Sequence, residues 1–267
     1  MSKYHWGRRL FMAIALLFST ATFAQLAEIK ERQLLKVGVS DHIYPFAYQD
    51  EAGQWQGLEV ALAKQLAKDL LGDENKALIT PVPNIDRIAV LKAKEQDLIL
   101  ATFSDTATRR KVVDFASPYL NVSIGLITPA DKKINAVDEL SGKKIIVLAS
   151  TTAEKYFKEN FKDSQLQVEK TVARALAQLA NGHGDGLAFD NVALWAWARK
   201  NPQFTVSIPA IGEQQPIAPA VDKDNDLRDW LNEELAQLRA NGTMANLYQQ
   251  TLAEAFSPEE LAKIIVP

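Results

Sequence analysis

A short segment near the middle of the chain places hydroxyl and guanidinium groups directly after an apolar run. The run Leu98–Leu100 is typical of a buried strand, and Thr102, Ser104 and Arg109 follow it closely. An arginine can hold a carboxylate through two parallel N–H bonds, and hydroxyl groups both donate and accept. Taken alone, however, an arginine is more commonly solvated, and a threonine such as Thr106 commonly caps a helix. The segment is therefore either a ligand site or an ordinary solvated surface segment.

Polar residues also occupy two strand-to-helix transitions in the C-terminal half. Thr151 and Thr152 follow the run "KKIIVLAS", and Asp190 ends the run "GLAFD". A hydroxyl or carboxylate at such a position can accept hydrogen bonds from the free N–H groups that begin a helix. Helix capping is thus the ordinary role for Thr152 and Asp190. It is compatible with ligand binding, because an oxygen acceptor has more than one lone pair.

The elements that must position these residues alternate between short β-branched runs and longer amphipathic stretches. Strands are predicted in "LLKVGVS", "ALITPVP", "DLILATF", "KKIIVLAS", "LQVEKTV" and "GLAFD". Helices are predicted between them, most clearly over 58–72, where leucines recur every four residues and Gly72 can end the helix. This alternation predicts a doubly wound α/β fold with parallel sheets.

A restart of the pattern near residue 120 predicts two lobes joined by a two-strand hinge. We expect lobe 1 to comprise 25–120 and 213–267, and lobe 2 to comprise 121–212. Pro219 lies in the returning segment, which favours an edge or a hinge because proline lacks an N–H donor. Ligands of open α/β sheets bind beyond the carboxyl ends of the strands, so the site should lie in the cleft between the lobes.

The N-terminus, residues 1–24, has the layout of a secretory signal peptide, with basic residues, an apolar run and the small-residue stretch "STATFA". Its removal takes away three positive charges, so the formal net charge changes from −3 to −6. An acidic chain disfavours nucleic acid and anionic membranes as partners. The chain has no cysteine and only three scattered histidines, so neither a metal site nor a cofactor is predicted.

Five segments, in order, carry a resemblance to a known family. They are "LKVGVSDHIYPFAYQDEAGQWQGLEVALAKQLAKDL", "RIAVLKAKEQDLILATFSDTATRRKVVDFASPYL", "LSGKKIIVLASTTAEKYFKEN", "GLAFDNVALW" and "LNEELAQLRANGTMANLYQ". Over nearly all of residues 34–250 the chain resembles the periplasmic solute-binding proteins of polar amino acid ABC transporters (family 3, type II fold). The resemblance implies a monomeric, non-enzymatic periplasmic protein that closes on a free amino acid and delivers it to a membrane permease.

The same resemblance assigns roles to the candidate residues. Arg109 would bind the α-carboxylate of the ligand from lobe 1, and Asp190 would receive the ammonium group from lobe 2. Hydroxyl and helix N-terminal N–H groups would complete the site at Thr102, Ser104, Thr151 and Thr152. One charged anchor on each lobe would let the ligand favour closure of the cleft.

Residues for the ligand side chain are less sharply defined by the sequence. Arg87 matches a position that binds a side-chain carboxylate in some relatives, which favours glutamate or aspartate, although an exposed helix residue is an equal alternative. Asn84 falls near the place of a stacking ring in other members. Asp41 and Tyr44 are both candidates from the first loop, while Asp105 would oppose an acidic ligand if it faced the cleft.

Two other functions remain open on this scaffold. Exported cyclohexadienyl dehydratases resemble the family, but such an enzyme needs a general acid over the ring, which the sequence does not visibly offer. A sensory role, in which the closed form is presented to a receptor kinase, needs the same binding residues as transport.

Overall fold

The structure, a computed structural model, describes residues 24–266. The predicted signal peptide, residues 1–24, lies outside the described residues except for Ala24. The described chain forms two α/β lobes, each built on a five-stranded sheet, which confirms the predicted fold class. Between residues 24 and 266, no helix combines the length and apolarity needed to cross a membrane.

The strands alternate with helices along the chain as expected. The strands before the first crossing are β1 (Leu35–Ser40), β2 (Tyr48–Gln49), β3 (Trp55–Gln56), β4 (Ala77–Val82), β5 (Leu98–Leu100) and β6 (Val113–Phe115). The later strands are β7 (Leu120–Pro129), β8 (Lys144–Leu148), β9 (Gln165–Glu169), β10 (Gly186–Asp190), β11 (Phe204–Ile217) and β12 (Ala220–Asp222). The first sheet has the order β4-β1-β5-β12-β6 and the second β11-β7-β10-β8-β9.

Both sheets are mixed, which corrects the expectation of parallel sheets. In the first sheet β1 is parallel to β4 and β5, but β12 is antiparallel to β5 and β6. In the second, β8 is parallel to β9 and β10, whereas β7 is antiparallel to β10 and β11. The antiparallel pairings arise at the strands next to the crossings between lobes, where the chain connects without a crossover helix.

The helices are α1 (Ala24–Arg32), α2 (Leu58–Leu71), α3 (Arg87–Lys92), α4 (Thr152–Asn160), α5 (Val172–Ala180), α6 (Asn191–Lys200), α7 (Asp226–Ala240), α8 (Thr243–Leu252) and α9 (Pro258–Ile264). In α2, Leu58, Leu62 and Leu66 are fully buried, as their spacing predicts. Gly72 ends this helix in the left-handed region, at φ 78°, and its N–H donates to the carbonyl of Lys68.

Two long paired strands, β7 and β11, carry the chain between the lobes. Their pairing runs from Leu120 with Ile217 at the first-lobe end to Pro129 with Phe204 in the second lobe. Pro219 lies between β11 and β12, where the chain re-enters the first sheet, so it interrupts neither strand. The two crossings make up the two-strand hinge of the fold.

The C-terminal tail lies beside these crossing strands. Ser257 begins α9 with a reciprocal capping box to Glu260. Glu260 also forms an ion pair with Arg199 of α6, and the carbonyl of Lys263 accepts a 2.9 Å hydrogen bond from Gln214 of β11. Ile264, the last residue of α9, is buried in the large hydrophobic core. The tail therefore connects a second-lobe helix to the hinge.

Candidate functional site

Arg109 begins a short 3-10 turn, Arg109–Lys111, after strand β5. Its guanidinium donates to the carbonyl of Ser104 at 2.7 Å and to the carbonyl of Ser150, in the second lobe, at 2.9 Å. The group also lies 4.4 Å from the ring centre of Phe103. Burial lowers the pKa of Arg109 to about 10, an effect that Asp190 opposes. The sequence-predicted arginine thus faces the other lobe as a cation.

Arg87, the first residue of α3, is buried, so the alternative of an exposed helix residue is wrong. Its guanidinium donates to the carbonyls of Asn84 at 3.1 Å, Ala101 at 3.0 Å and Ser150 at 3.3 Å. Burial lowers the pKa of Arg87 to about 9. Main-chain carbonyls therefore fix this side chain beside the site, and three of its five N–H donors are engaged within the described chain.

Phe103 supplies the apolar surface that both guanidinium groups share. Its ring is buried, with Arg87 at 4.3 Å and Arg109 at 4.4 Å from its centre. A cation over an aromatic face at this distance is attracted to the ring. The ring thus holds two like charges next to each other, and its own position is fixed by Phe115, whose ring centre lies 5.3 Å away.

Asp190 ends β10 and precedes α6, and its charge interacts with those of the two arginines. It is buried, and its side chain makes no capping hydrogen bond, so capping does not account for it. Burial raises the pKa of Asp190 to about 6, although Arg87 and Arg109 both favour its ionised form. The charge of this buried carboxylate is costly without a partner, so a cation bound beside it would be stabilised.

Thr102 and Ser104 lie buried at the end of β5. Thr102 has a left-handed φ of 40°, and its hydroxyl lies 3.3 Å from that of Ser40 at the end of β1. Ser104 forms an isolated bridge with Ile217 at the end of β11. The left-handed backbone is costly for a β-branched residue, which indicates that surrounding contacts hold the strand end in place.

Asp105 does not face the ligand site with a free carboxylate. Its oxygens accept from the guanidinium of Arg110, including a 2.6 Å bond from Nε. The side chain of Arg110 is largely exposed. The cation of Arg110 therefore compensates the charge of Asp105, which would otherwise oppose an acidic ligand.

The helix cap at the second-lobe transition is Thr151, which corrects the expectation for Thr152. The Thr151 hydroxyl accepts from the N–H of Glu154 at 3.2 Å and donates to the carbonyl of Leu148 at 2.7 Å. Thr152 is instead the first residue of α4. Its hydroxyl takes no part in the cap and lies in the first turn of the helix.

These residues line one small cavity between the lobes. Its lining is Asn84, Arg87, Thr102, Ser104, Arg109, Thr151, Thr152, Phe189 and Asp190. With both arginines bonded to Ser150 across the cleft, the cavity measures about 10 Å³. That volume accommodates roughly one water molecule, so an amino acid can enter only if the lobes separate. Beside Arg109 a wider groove of about 390 Å³ runs along α4 past Lys155 to solvent.

The two first-loop candidates occupy different places. Asp41 lines a second small space between the lobes, together with Ile43, Pro83, Asn84, Lys170, Thr171 and Val172. Its carboxylate accepts a 2.8 Å hydrogen bond from His42 Nδ1. Tyr44 lines neither space. Its ring packs against Tyr48, 5.0 Å between centres, and the ammonium of Lys200 lies 3.9 Å from it.

A buried carboxylate that the sequence analysis did not select lies beneath the cavity. Glu59, in the first turn of α2, accepts hydrogen bonds from the N–H of Ser40 at 2.8 Å, the N–H of Thr102 at 2.6 Å and the hydroxyl of Tyr119 at 3.2 Å. Burial raises the pKa of Glu59 to about 7, while these bonds act in the opposite direction. Its position on the leucine-rich face of α2 was the available signal, because a glutamate there must be buried.

Comparison with known proteins identifies the family of this chain. The sequence model described as "Bacterial extracellular solute-binding proteins, family 3" matches residues 35–254. The glutamine-binding protein of an ABC transporter in Bacillus subtilis is 29% identical over 232 residues, which cover 86% of this chain and 85% of that protein.

Two solved structures are similar throughout. The solute receptor for L-cysteine of Neisseria gonorrhoeae has a TM-score of 0.86 at 36% identity, covering 91% of this chain and 99% of that one. The cysteine-binding protein of Campylobacter jejuni has a TM-score of 0.87 at 34% identity, covering 90% and 98%. The chain therefore belongs to the family 3 bacterial extracellular solute-binding proteins.

Proposed function

We propose that this protein captures a free amino acid with an uncharged polar side chain in the interlobe cavity and delivers it to the permease of an ABC transporter. The observation that carries the proposal is that Arg109 and Asp190, two oppositely charged side chains from different lobes, line one cavity. A zwitterionic amino acid presents the matching charges, and both are costly to desolvate unless they are paired.

The roles follow from the donors and acceptors that each residue offers. Arg109 binds the α-carboxylate through guanidinium N–H groups that its carbonyl contacts leave free. Thr151 and Thr152 present a helix N-terminus to the same carboxylate. Asp190 receives the ammonium group, supported by the oxygens of Thr102 and Ser104. Asp41 lines the adjacent space and contacts the ligand side chain, whereas Tyr44 has no part in binding.

The balance of buried charge supports an uncharged ligand side chain. Two cations, Arg87 and Arg109, and one carboxylate, Asp190, line the cavity, and the buried Glu59 lies beneath it, so the four formal charges cancel when Glu59 is ionised. A zwitterion keeps this balance, but an acidic or basic side chain would add an uncompensated charge. Arg87 already donates to three carbonyls, which argues against glutamate and aspartate. Relatives named for glutamine and cysteine support this class, whereas others are named for arginine.

The remaining assignments concern the whole protein. Lobe 1 comprises residues 25–120 and 213–267, and lobe 2 comprises 121–212, so that the ligand joins the two. Residues 1–24 direct export to the periplasm and are removed. The mature protein acts as a monomer, without metal or cofactor, and changes no covalent bond in its ligand.

The test is a thermal-shift screen of the mature protein against the twenty amino acids, followed by calorimetry. Because ligand binds the native state only, a ligand at one hundred times its Kd should stabilise the protein by about 2.7 kcal/mol. We expect stabilisation by a polar, uncharged amino acid that is recovered unchanged. Stabilisation by glutamate or arginine alone would contradict the ligand class. Turnover of prephenate or arogenate, without amino acid binding, would contradict the function.

A further inference from the structure

The carboxylate of Glu59 joins the ends of two strands that carry the ligand site. It accepts from the main-chain N–H of Ser40, the last residue of β1, and from that of Thr102, two residues after β5. Both N–H groups lie where the strands end. Without this acceptor, each would be a buried donor with no partner, which is costly.

The bonds to Glu59 also account for the strained backbone at Thr102. This residue has a φ of 40°, a conformation that a threonine adopts only when its surroundings hold it there. The 2.6 Å bond from its N–H to Glu59 fixes the peptide between Ala101 and Thr102. Two residues further along the same segment, the carbonyl of Ser104 holds the guanidinium of Arg109. A continuous set of contacts therefore links α2 to the arginine that binds the carboxylate.

We propose that Glu59 is a positioning residue for amino acid binding, one that acts in its ionised form by holding the ends of β1 and β5 in the binding geometry. The proposal rests on the function proposed above. Glu59 does not line the cavity, so it acts through Thr102 and Ser40. A carboxylate can accept all three bonds, whereas the neutral acid turns one oxygen into a donor that faces another donor.

The charges around Glu59 make ligand affinity depend on pH. Tyr119 donates to it from the segment before β7, and Arg87 of α3 is the cation that interacts with it. Burial raises the pKa of Glu59 to about 7 and that of Asp190 to about 6. The ligand ammonium favours the ionised form of both. Affinity should therefore fall in two steps as pH decreases, first near 7 and then near 6.

The experiment measures the Kd of wild-type protein and three variants from pH 5.5 to 8.5, using as probe the amino acid that gives the largest shift in the screen of twenty. Glu59→Gln keeps one acceptor oxygen and introduces donors. We expect about a tenfold loss of affinity at pH 8 and loss of the step near pH 7, with the Asp190 step retained. Asp69→Asn, on the exposed end of the same helix, should bind as wild type over the whole range.

Tyr119→Phe tests the proposal without disturbing either backbone bond. It removes a donor that favours the ionised carboxylate, so the upper step should move to higher pH while the affinity at pH 8.5 stays within about twofold of wild type. A merely structural role for Glu59 would leave the pH profile of this variant unchanged.

Three outcomes decide the matter. Wild-type binding with the two-step profile, and the variant changes above, support the positioning role. Wild-type binding with an unaltered profile in both Glu59→Gln and Tyr119→Phe overturns it and leaves the proposed function intact. Absence of binding by wild type at every pH overturns the function itself, and with it the role of Glu59.

Discussion

The guanidinium of Arg109 donates a 2.9 Å hydrogen bond to the main-chain carbonyl of Ser150 in the opposite lobe, and Arg87 donates to the same oxygen at 3.3 Å. One acceptor thus joins two cations across the cleft. Among the contacts of residues 24–266, Arg109 uses two of its five N–H donors on carbonyl groups, and the others can bind a carboxylate. The proposed ligand anchor and the lobe contact therefore share one side chain.

Replacement of Arg109 by lysine should abolish most ligand binding. Lysine keeps the charge but cannot hold the carbonyl of Ser104 and a carboxylate with one planar group. We expect the affinity to fall by about a hundredfold, which corresponds to two charge-assisted hydrogen bonds, with little change in the urea midpoint. Arg110→Lys, on the exposed neighbour, is the matched control in calorimetry. Near-normal affinity in Arg109→Lys would place the carboxylate elsewhere.

Replacement of Asp190 by asparagine should weaken binding and change its pH dependence. Burial raises the pKa of this carboxyl to about 6, so wild-type affinity should decline as pH falls below that value. Asparagine carries no charge, so the decline near pH 6 should disappear in the variant, while the decline near pH 7 that involves Glu59 should remain. Calorimetry at closely spaced pH values from 5.5 to 8.5 measures both effects, with the exposed Asp163→Asn as control. A wild-type step near pH 6 that survives in Asp190→Asn would contradict this assignment.

Without ligand, the same buried acids should make stability fall as pH rises. The pKa of Glu59 is raised to about 7 from an ordinary 4.5, so the folded state favours the protonated form. Its contribution is fully present below about pH 4.5 and is lost as pH rises through about 7, by up to about 3 kcal/mol. Urea unfolding at pH 5 and pH 8 should show this decline in wild type.

Glu59→Gln provides the comparison for this decline. Glutamine does not ionise, so the difference in the free energy of unfolding between pH 5 and pH 8 should be smaller in the variant. An equal or larger difference would show that Glu59 does not titrate in this range. The free energy of unfolding should fall as pH rises, whereas ligand affinity should fall as pH decreases. The two measurements therefore distinguish the two effects.

The C-terminal tail should stabilise the hinge mainly through Ile264, which is 1% exposed. Its replacement by alanine should lower the free energy of unfolding by about 3 kcal/mol. Glu260→Ala should cost less, about 1 kcal/mol, because it removes a partly exposed ion pair with Arg199 and one bond of the capping box. Urea unfolding checks both, with the exposed Lys263→Ala as control. Equal effects from Ile264→Ala and Lys263→Ala would show that the tail is not packed as described.

Local patterns predicted the elements well, and the two charged residues selected from the sequence line one cavity. The leucines of α2 and the apolar run of β5 identify a helix and a buried strand, and family motifs locate Arg109 and Asp190. These signals depend on residues close in sequence or on a motif that has a fixed place in the fold. They were enough to bring the two charges to one cavity.

Such patterns could not predict contacts between segments that are distant in the sequence. The burial of Arg87 depends on carbonyls from three separate segments, and the role of Phe103 depends on two arginines that approach it from different elements. The helix cap is Thr151 and not Thr152, a difference of one residue that helix propensity does not resolve. Glu59 could have been noticed, because its place among buried leucines conflicts with its charge.

The acceptor at position 150 is part of the main chain. No exchange of side chain at Ser150 can therefore delete it, and a conventional alanine scan would report this position as neutral. In an evolving lineage, only the donor residues or the path of the loop could alter this bond. A backbone ester in place of the amide, which weakens the carbonyl as an acceptor, is the chemical substitution that would reach it directly.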